Sequence, residues 1–257
     1  KVHIVTGAVS AAQNVTKCVR RCGLEVSDLV LQPMASAIAV LSEDEKDLGV
    51  CLIDIGGGTT DIAVYVGGAI RHTAVIPIAG DQITNDIAMA LRTPTKEAED
   101  IKIQHGVSLV AMADPAQMIE VPGVGERGPR QMSRATLAEV IEPRVEELFQ
   151  LVQQELRRSG FEELLSSGMV LTGGASLMPG MVELAEEVFH LPVRVGVPKY
   201  VGGLAEVVKT PRFSTGVGLL LYGKDQIQGY AGPHSKAESA GVGQLFGKMK
   251  AWFAGNF

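Results

Sequence analysis

Apolar residues along this chain recur in two periods, and the points where the period changes mark the expected elements. Val2 to Thr6 alternates and predicts a first strand. From Ser10 to Cys22 the spacing is helical, with Val15, Cys18, Val19 and Cys22 on one face and Lys17, Arg20 and Arg21 opposite; Gly23 ends the helix. A short strand at Val30-Leu31 runs to Gln32-Pro33, and a helix follows from Met34 to about Leu41. The acidic stretch Ser42 to Asp47 reads as a solvated connector. Val50 to Tyr65 then reads as strand, glycine turn and strand, and the residues after Gly67-Gly68 form a third antiparallel strand.

The second half is more helical. Ile83, Ile87, Ala90 and Leu91 set a helix that starts at Gly80-Asp81 and breaks at Thr93-Pro94. Another starts at Thr95, expected as its N-cap. Residues 106–133 read as short strands or loops of a small subdomain. Ser133 caps a long helix with the stripe Leu137, Val140, Ile141, Val145, Leu148, Leu151, Val152 and Leu156; Pro143 is expected to kink or divide it. A buried strand enters Gly173-Gly174, followed by a helix with Val182, Leu184, Ala185, Val188 and Phe189, a strand at Val193–Gly196, and a glycine-bearing buried helix over 214–223. Residues 225–240 lose all periodicity and read as a flexible linker. In 241–257, Val242, Leu245, Phe246, Met249, Trp252 and Phe253 share one helical face, with Lys248 and Lys250 beside it. That pattern suits a lipid surface; a protein groove is the other occupant such a helix takes.

Composition narrows the classes. The chain has 257 residues, 46% of them hydrophobic, which is enough for a sizeable core. A net charge of −6 argues against nucleic-acid binding through bulk electrostatics. Cys18, Cys22 and Cys51 lack the second ligand pair of a zinc site and read as buried, reduced thiols. No apolar run is long enough to span a bilayer, and no signal peptide is expected. His72 has no catalytic partner nearby in sequence and reads as structural.

The chemistry concentrates at two glycine corners. Gly56, Gly57 and Gly58 leave no Cβ between a ligand and the backbone N–H groups, so a phosphate can approach. Thr59 and Thr60 add hydroxyl donors, and Asp54 stands where a carboxylate holds Mg²⁺ through its water shell. A plain hairpin needs no acid before its glycines and no Thr-Thr-Asp after them. Gly173, Gly174, Ala175 and Ser176 make the second corner, where a flat ligand can lie against the chain. Neither is a Walker A loop or a dinucleotide fingerprint, since the first corner joins strand to strand.

The segment from Asp54 to Asp61 resembles the second phosphate loop of the actin-like ATPase superfamily, and the Leu171–Ser176 segment its adenosine motif, in the same order and at a fitting distance. With Thr136–Arg144 and the lipid-seeking end, the whole chain resembles the carboxy-terminal portion of the FtsA family of bacterial cell-division proteins. That resemblance implies an α/β actin-like (ribonuclease H-like) ATPase fold, partial here, and binding of ATP with Mg²⁺. It places Gln32 at the attacking water, Glu99 near the ribose and Lys102 near the adenine. It makes Arg134 and Arg144 partners for the acidic FtsZ C-terminal tail. It implies a weak ATPase at most, which polymerises with itself on inner-membrane lipid at the cytoplasmic face of the septum, anchors FtsZ filaments and recruits other divisome proteins. A sugar- or acetate-type kinase or a chaperone-type ATPase of the same superfamily is the alternative. The implied layout is 1–47 in subdomain 1A, 48–79 in 2A, 80–167 in 2B, 168–224 in 2A returning to 1A, 225–240 as linker and 241–257 as membrane helix. The first phosphate loop and subdomain 1C are expected outside these residues, so these residues alone should bind ATP weakly or not at all.

Overall fold

A computed structural model describes residues 3–125, 127–199, 202 and 205–230. The chain divides into two units, 1–221 and 222–257. The first is built on a five-stranded sheet of β1 (Val50–Ile55), β2 (Thr60–Val66), β3 (Ala69–Ile76), β6 (Met169–Thr172) and β7 (Val193–Val195), in the order β3-β2-β1-β6-β7. β1 to β3 form an antiparallel meander, whereas β6 runs parallel to β1 and β7 parallel to β6. A separate ribbon pairs β4 (Met118–Val121) with β5 (Arg130–Ser133). The described residues of the second unit continue a helix that ends at Tyr230.

β1 is buried along its whole length, which explains its unbroken apolar run. On one face Cys51, Ile53 and Ile55 join Ile62, Val64 and Leu171 in a core covered by α4 (Gly80–Leu91), α6 (Arg134–Ser159) and α7 (Met181–Phe189). On the other, Val50, Leu52, Ala63 and Val170 pack on Ala37, Ala39 and Val40 of α2 (Gln32–Val40) and on Val217 of α9 (Ser214–Tyr230). The other α-helices among the described residues are α1 (Val9–Arg21), α3 (Glu43–Leu48), α5 (Thr95–His105) and α8 (Ala205–Val208).

Several sequence expectations change. Residues 3–6 and 30–31 form no strand; Ile4 is 77% exposed, and an extended segment becomes a strand only when a neighbour takes its hydrogen bonds. α1 has no buried residue, and Cys18 and Cys22 are exposed rather than buried, because periodicity identifies an apolar face without saying what covers it. Cys51 is buried as expected, and desolvation pushes its thiol up. The acidic connector is the helix α3. Its capping box is reciprocal, the Glu45 backbone N–H donating to Ser42 Oγ and the Ser42 N–H to Glu45 Oε2 at 2.7 Å. Thr95 is the first helical residue, with Pro94 in the cap position. Pro143 does not divide α6, whose fully buried Leu137, Ile141, Val145, Phe149 and Val152 hold both sides. An internal proline costs about 3 kcal/mol, less than those side chains contribute at roughly 1.5–3 kcal/mol each. α9 also runs to Tyr230, into what read as linker.

Two contacts generate tests. A Cβ at Gly218 would stand 1.7 Å from the Ala35 carbonyl oxygen, so α9 crosses α2 with no room for a methyl group. Gly218→Ala should therefore lower stability by about 3 kcal/mol, the upper range for overpacking. Gly216→Ala, with open space around it, should leave the melting temperature unchanged or raise it slightly. The second contact ties α3 to β7. Arg194 donates to both Glu45 oxygens, at 2.6 and 2.8 Å. Burial alone would raise the Glu45 carboxyl, but Arg194 and Ser42 outweigh it and bring it down from 4.5 to about 2. A depressed carboxylate contributes stability that is complete above the unfolded value and lost as pH falls through the folded one. Stability should therefore decline between about pH 4.5 and 2, by on the order of 1 kcal/mol after solvent screening. Glu45→Gln should flatten that part of the curve in acid titrations followed by circular dichroism.

Candidate functional site

Because β1 and β6 are parallel neighbours, with Asp54 opposite Thr172, their carboxyl ends leave the sheet on the same edge. Open α/β sheets bind ligands at that edge. The first glycine turn closes through Gly56 N–H to the Thr59 carbonyl at 3.0 Å. It is braced on the N-terminus of α4: Gly80 N–H donates to Gly56 O at 3.1 Å and Asp81 N–H to Gly57 O at 2.7 Å. The second turn follows β6 directly. Gly173 has φ +86°, and a Cβ there would lie 2.4 Å from Ile55 O and 2.6 Å from Asp54 Oδ1. Ala175 Cβ lies 3.7 Å from where a Cβ at Gly80 would be. The two corners and the start of α4 thus meet within a residue of one another.

Asp54 leaves β1 on the α2–α9 face, 3% exposed. Its Oδ2 accepts from Ser36 Oγ at 2.6 Å and Thr215 Oγ1 at 3.4 Å, and Gln32 at the start of α2 also donates to the carboxylate. Asp61 lies across the ladder from Asp54. Burial raises both carboxyls; hydrogen bonds partly offset this at Asp54, while Asp54's charge pushes Asp61 further up and Thr59 pulls it back. Neither acid forms an ion pair among the described residues. Two crowded carboxylates beside an open glycine turn have the charge a cation would neutralise, and they fit Mg²⁺, which takes one or two carboxylates and keeps its waters or a ligand's phosphates.

Other expected site residues are committed internally. Thr60 is fully buried and its hydroxyl donates to Ile78 O at 2.7 Å, so it anchors the turn to the chain after β3 and has no proton for a ligand. Ser176 is buried, donating to Gly173 O at 2.8 Å. Lys102 is buried among Gly80 O, Thr84 Oγ1 and Glu99 Oε2, at 3.0, 2.8 and 2.6 Å. Arg144 grips Asp86 through two bonds, at 2.5 and 3.1 Å, and also Glu147. Arg134 donates to His105 O at 2.9 Å and to Gln117 Oε1 at 3.1 Å, partners that leave its charge unneutralised. Val242, Leu245, Phe246, Met249, Trp252 and Phe253 lie outside the described residues. His72, read as structural, is bonded to Glu155 Oε1 at 2.7 Å and stacked on Phe161.

Sequence reasoning missed Ser36, Thr215, Asp61 and Thr84. Ser36 had a signal, sitting one helical turn after Gln32. Asp61 had one too: a turn that pairs Ile55 with Thr60 pairs Asp54 with Asp61. Thr215 had none, since only the crossing of α9 over α2 brings it to Asp54.

Residues 51–218 match the family model described as cell division protein FtsA. The chain belongs to the FtsA family. It is 60% identical to the cell division protein FtsA of Pseudomonas aeruginosa over 261 residues, covering all of this chain and 63% of that relative, and 46% identical to that of Escherichia coli K12, again over 63% of the relative. The chain thus spans somewhat under two thirds of the length of these two relatives. Solved structures with the same fold include MreB5 of Spiroplasma citri bound to ADP, with TM-score 0.72 at 19% identity over 87% of this chain and 68% of that one. Another is the MamK double helical filament, with TM-score 0.64 at 17% identity over 85% of this chain and 66% of that one. The fold of this FtsA-family chain is that of the actin-like ATPases, in part.

A buried, electrostatically crowded acid opposes folding. Asp54→Asn keeps an acceptor for Ser36 and removes the charge, so without divalent cation the variant should be more stable than the parent by about 1 kcal/mol. In the full-length protein containing these residues, millimolar Mg²⁺ and nucleotide should stabilise the parent and not the variant, read as shifts in melting temperature.

Proposed function

We propose that this chain supplies one side of the ATP site of an actin-like cell-division scaffold of the FtsA type. The observation that carries the reading is the contact of two glycine corners at one sheet edge, beside two acids without a cationic partner. In this reading the N–H groups of Gly57 and Gly58 and the exposed Thr59 hold phosphate oxygens, with Gly56 closing the turn through its bond to Thr59 O and Thr60 bracing it. Asp54 holds Mg²⁺ through water, with Asp61 adding charge. Gly173, Gly174 and Ala175 form the floor for adenosine, and Ser176 keeps that floor in shape. Glu99 meets the ribose, and Gln32, bonded to Asp54, orients the attacking water; it has no basicity, which suits a slow ATPase. The ADP- and AMPPNP-bound structures of MreB5, which share this fold, support a nucleotide as the ligand.

Family membership supports a wider role, which is part of the same proposal. The protein polymerises on the cytoplasmic face of the inner membrane, holds FtsZ filaments there and gathers other divisome proteins. Residues 242–253 bind lipid, and many weak lipid contacts along a polymer add to firm attachment. For the acidic FtsZ tail, Arg134 is the better partner, because Arg144 is already neutralised by Asp86 and Glu147.

Three measurements on the full-length protein containing these residues test the reading. Gly57→Val, whose side chain would press on Asp81, should weaken Mg²⁺-dependent ATP binding at least tenfold. Deleting 242–257 should abolish co-pelleting with anionic liposomes; retention on lipid would sink the anchoring role. Arg134→Glu should weaken binding of an FtsZ-tail peptide about tenfold, while Arg144→Glu should mainly lower the melting temperature.

A further inference from the structure

The corner between α4 and α5 holds a polar cluster whose wiring can be worked out proton by proton. The Lys102 ammonium has three N–H donors, and its three acceptors are Gly80 O, Thr84 Oγ1 and Glu99 Oε2. With no proton left to give, it is a strut between α5 and α4 and does not read a base. Thr84 Oγ1 also lies within hydrogen-bond distance of Gly80 O, at 3.1 Å, and of Glu99 Oε2. A hydroxyl has a single proton, and Gly80 O is already served by Lys102, so Thr84 donates to Glu99. Both contacts on Glu99 therefore fall on Oε2. Its Oε1 has no contact among the described residues, and the side chain is 42% exposed. Burial pushes this carboxyl up, but hydrogen bonds from Lys102 and Thr84 outweigh it and keep it ionised.

We propose that Thr84 is a positioning residue: it fixes the rotation of the Glu99 carboxylate so that Oε1 faces the sugar hydroxyls of a bound nucleotide. The inference rests on the nucleotide reading above. Location supports it, since Gly80, held by Lys102, donates its N–H to Gly56 in the phosphate turn. Glu99 is thus tied to the cradle through Lys102 and Gly80. An ionised carboxylate only accepts hydrogen bonds, so the group it recognises must be a donor. Beside bound phosphates, the donors a nucleotide offers are its ribose hydroxyls.

The test compares ATP, 2′-deoxy-ATP and 3′-deoxy-ATP by calorimetric titration in Mg²⁺, using the full-length protein containing these residues, with melting temperatures measured alongside. The parent should prefer ATP over at least one deoxy analogue by roughly tenfold or more, the range for a hydrogen bond to a charged group. Thr84→Val should compress that preference to within about threefold, through loss of ATP affinity with the deoxy analogue barely changed. Thr84→Ser should restore it. If Thr84→Val weakens all three nucleotides by one factor, the residue only supports the fold and the proposal fails. A parent that binds ATP without discriminating between the sugars also overturns it. A parent that binds no ATP removes the nucleotide reading beneath it instead.

Discussion

The site depends on one contact that a side chain would prevent. Strands in a sheet lie about 4.8 Å apart, so the turns that follow two adjacent parallel strands have little lateral room. Here Gly173 lies against Ile55 O and Asp54 Oδ1, closer than any Cβ allows. Its positive φ, open to glycine without strain, lets the chain turn sharply after β6. Thr172, the residue before it, is locked by Gly196 O and Ser214 Oγ at 3.0 and 2.6 Å. The approach is thus fixed from both sides. A larger residue at 173 would separate the corners and dissolve the space between them.

That geometry explains why an acid sits where the surrounding chemistry opposes it. Asp54 shares its face of β1 with Val50 and Leu52, residues of an apolar core, yet it must end beside the open turn. The fold meets this with hydroxyls: Ser36 from α2 and Thr215 from α9 both reach its Oδ2, and they also contact each other at 2.9 Å. The close crossing at Gly218 and Ala35 brings α9 near enough for Thr215 to take part. Hydrogen bonds of this kind hold a carboxylate in place but do not neutralise it. The leftover charge, reinforced by Asp61, is what would draw a hydrated cation.

Much of this was legible in the residues. The hairpin around Gly56–Gly58, the second corner at Gly173, the long helix from Arg134 and the burial of β1 follow from periodicity and turn chemistry, which are local. The family was legible as well, because its two motifs are short and ordered along the chain. What stayed hidden depended on long-range contact. The apolar stripe of α1 is real but uncovered, so Cys18 and Cys22 are exposed. The extended segments near residues 4 and 30 have strand-like composition and no strand beside them. Ser42 and Glu45 carried a local capping signal that the acidic composition of the stretch masked.

The same distinction separates residues that shape the site from those able to read a ligand. Thr60, Ser176 and Lys102 have their hydrogens spent within the fold, and Arg144 has its charge met by Asp86 and Glu147. Removing any of them would disturb geometry before recognition. Glu99 Oε1 and Arg134 keep capacity that the fold does not use. A motif names both kinds with equal weight, because sequence records which groups are present and not how many of their bonds are already made. Recognition needs bonds still to be made, so the residues whose partners are incomplete are the ones through which this surface selects what it binds.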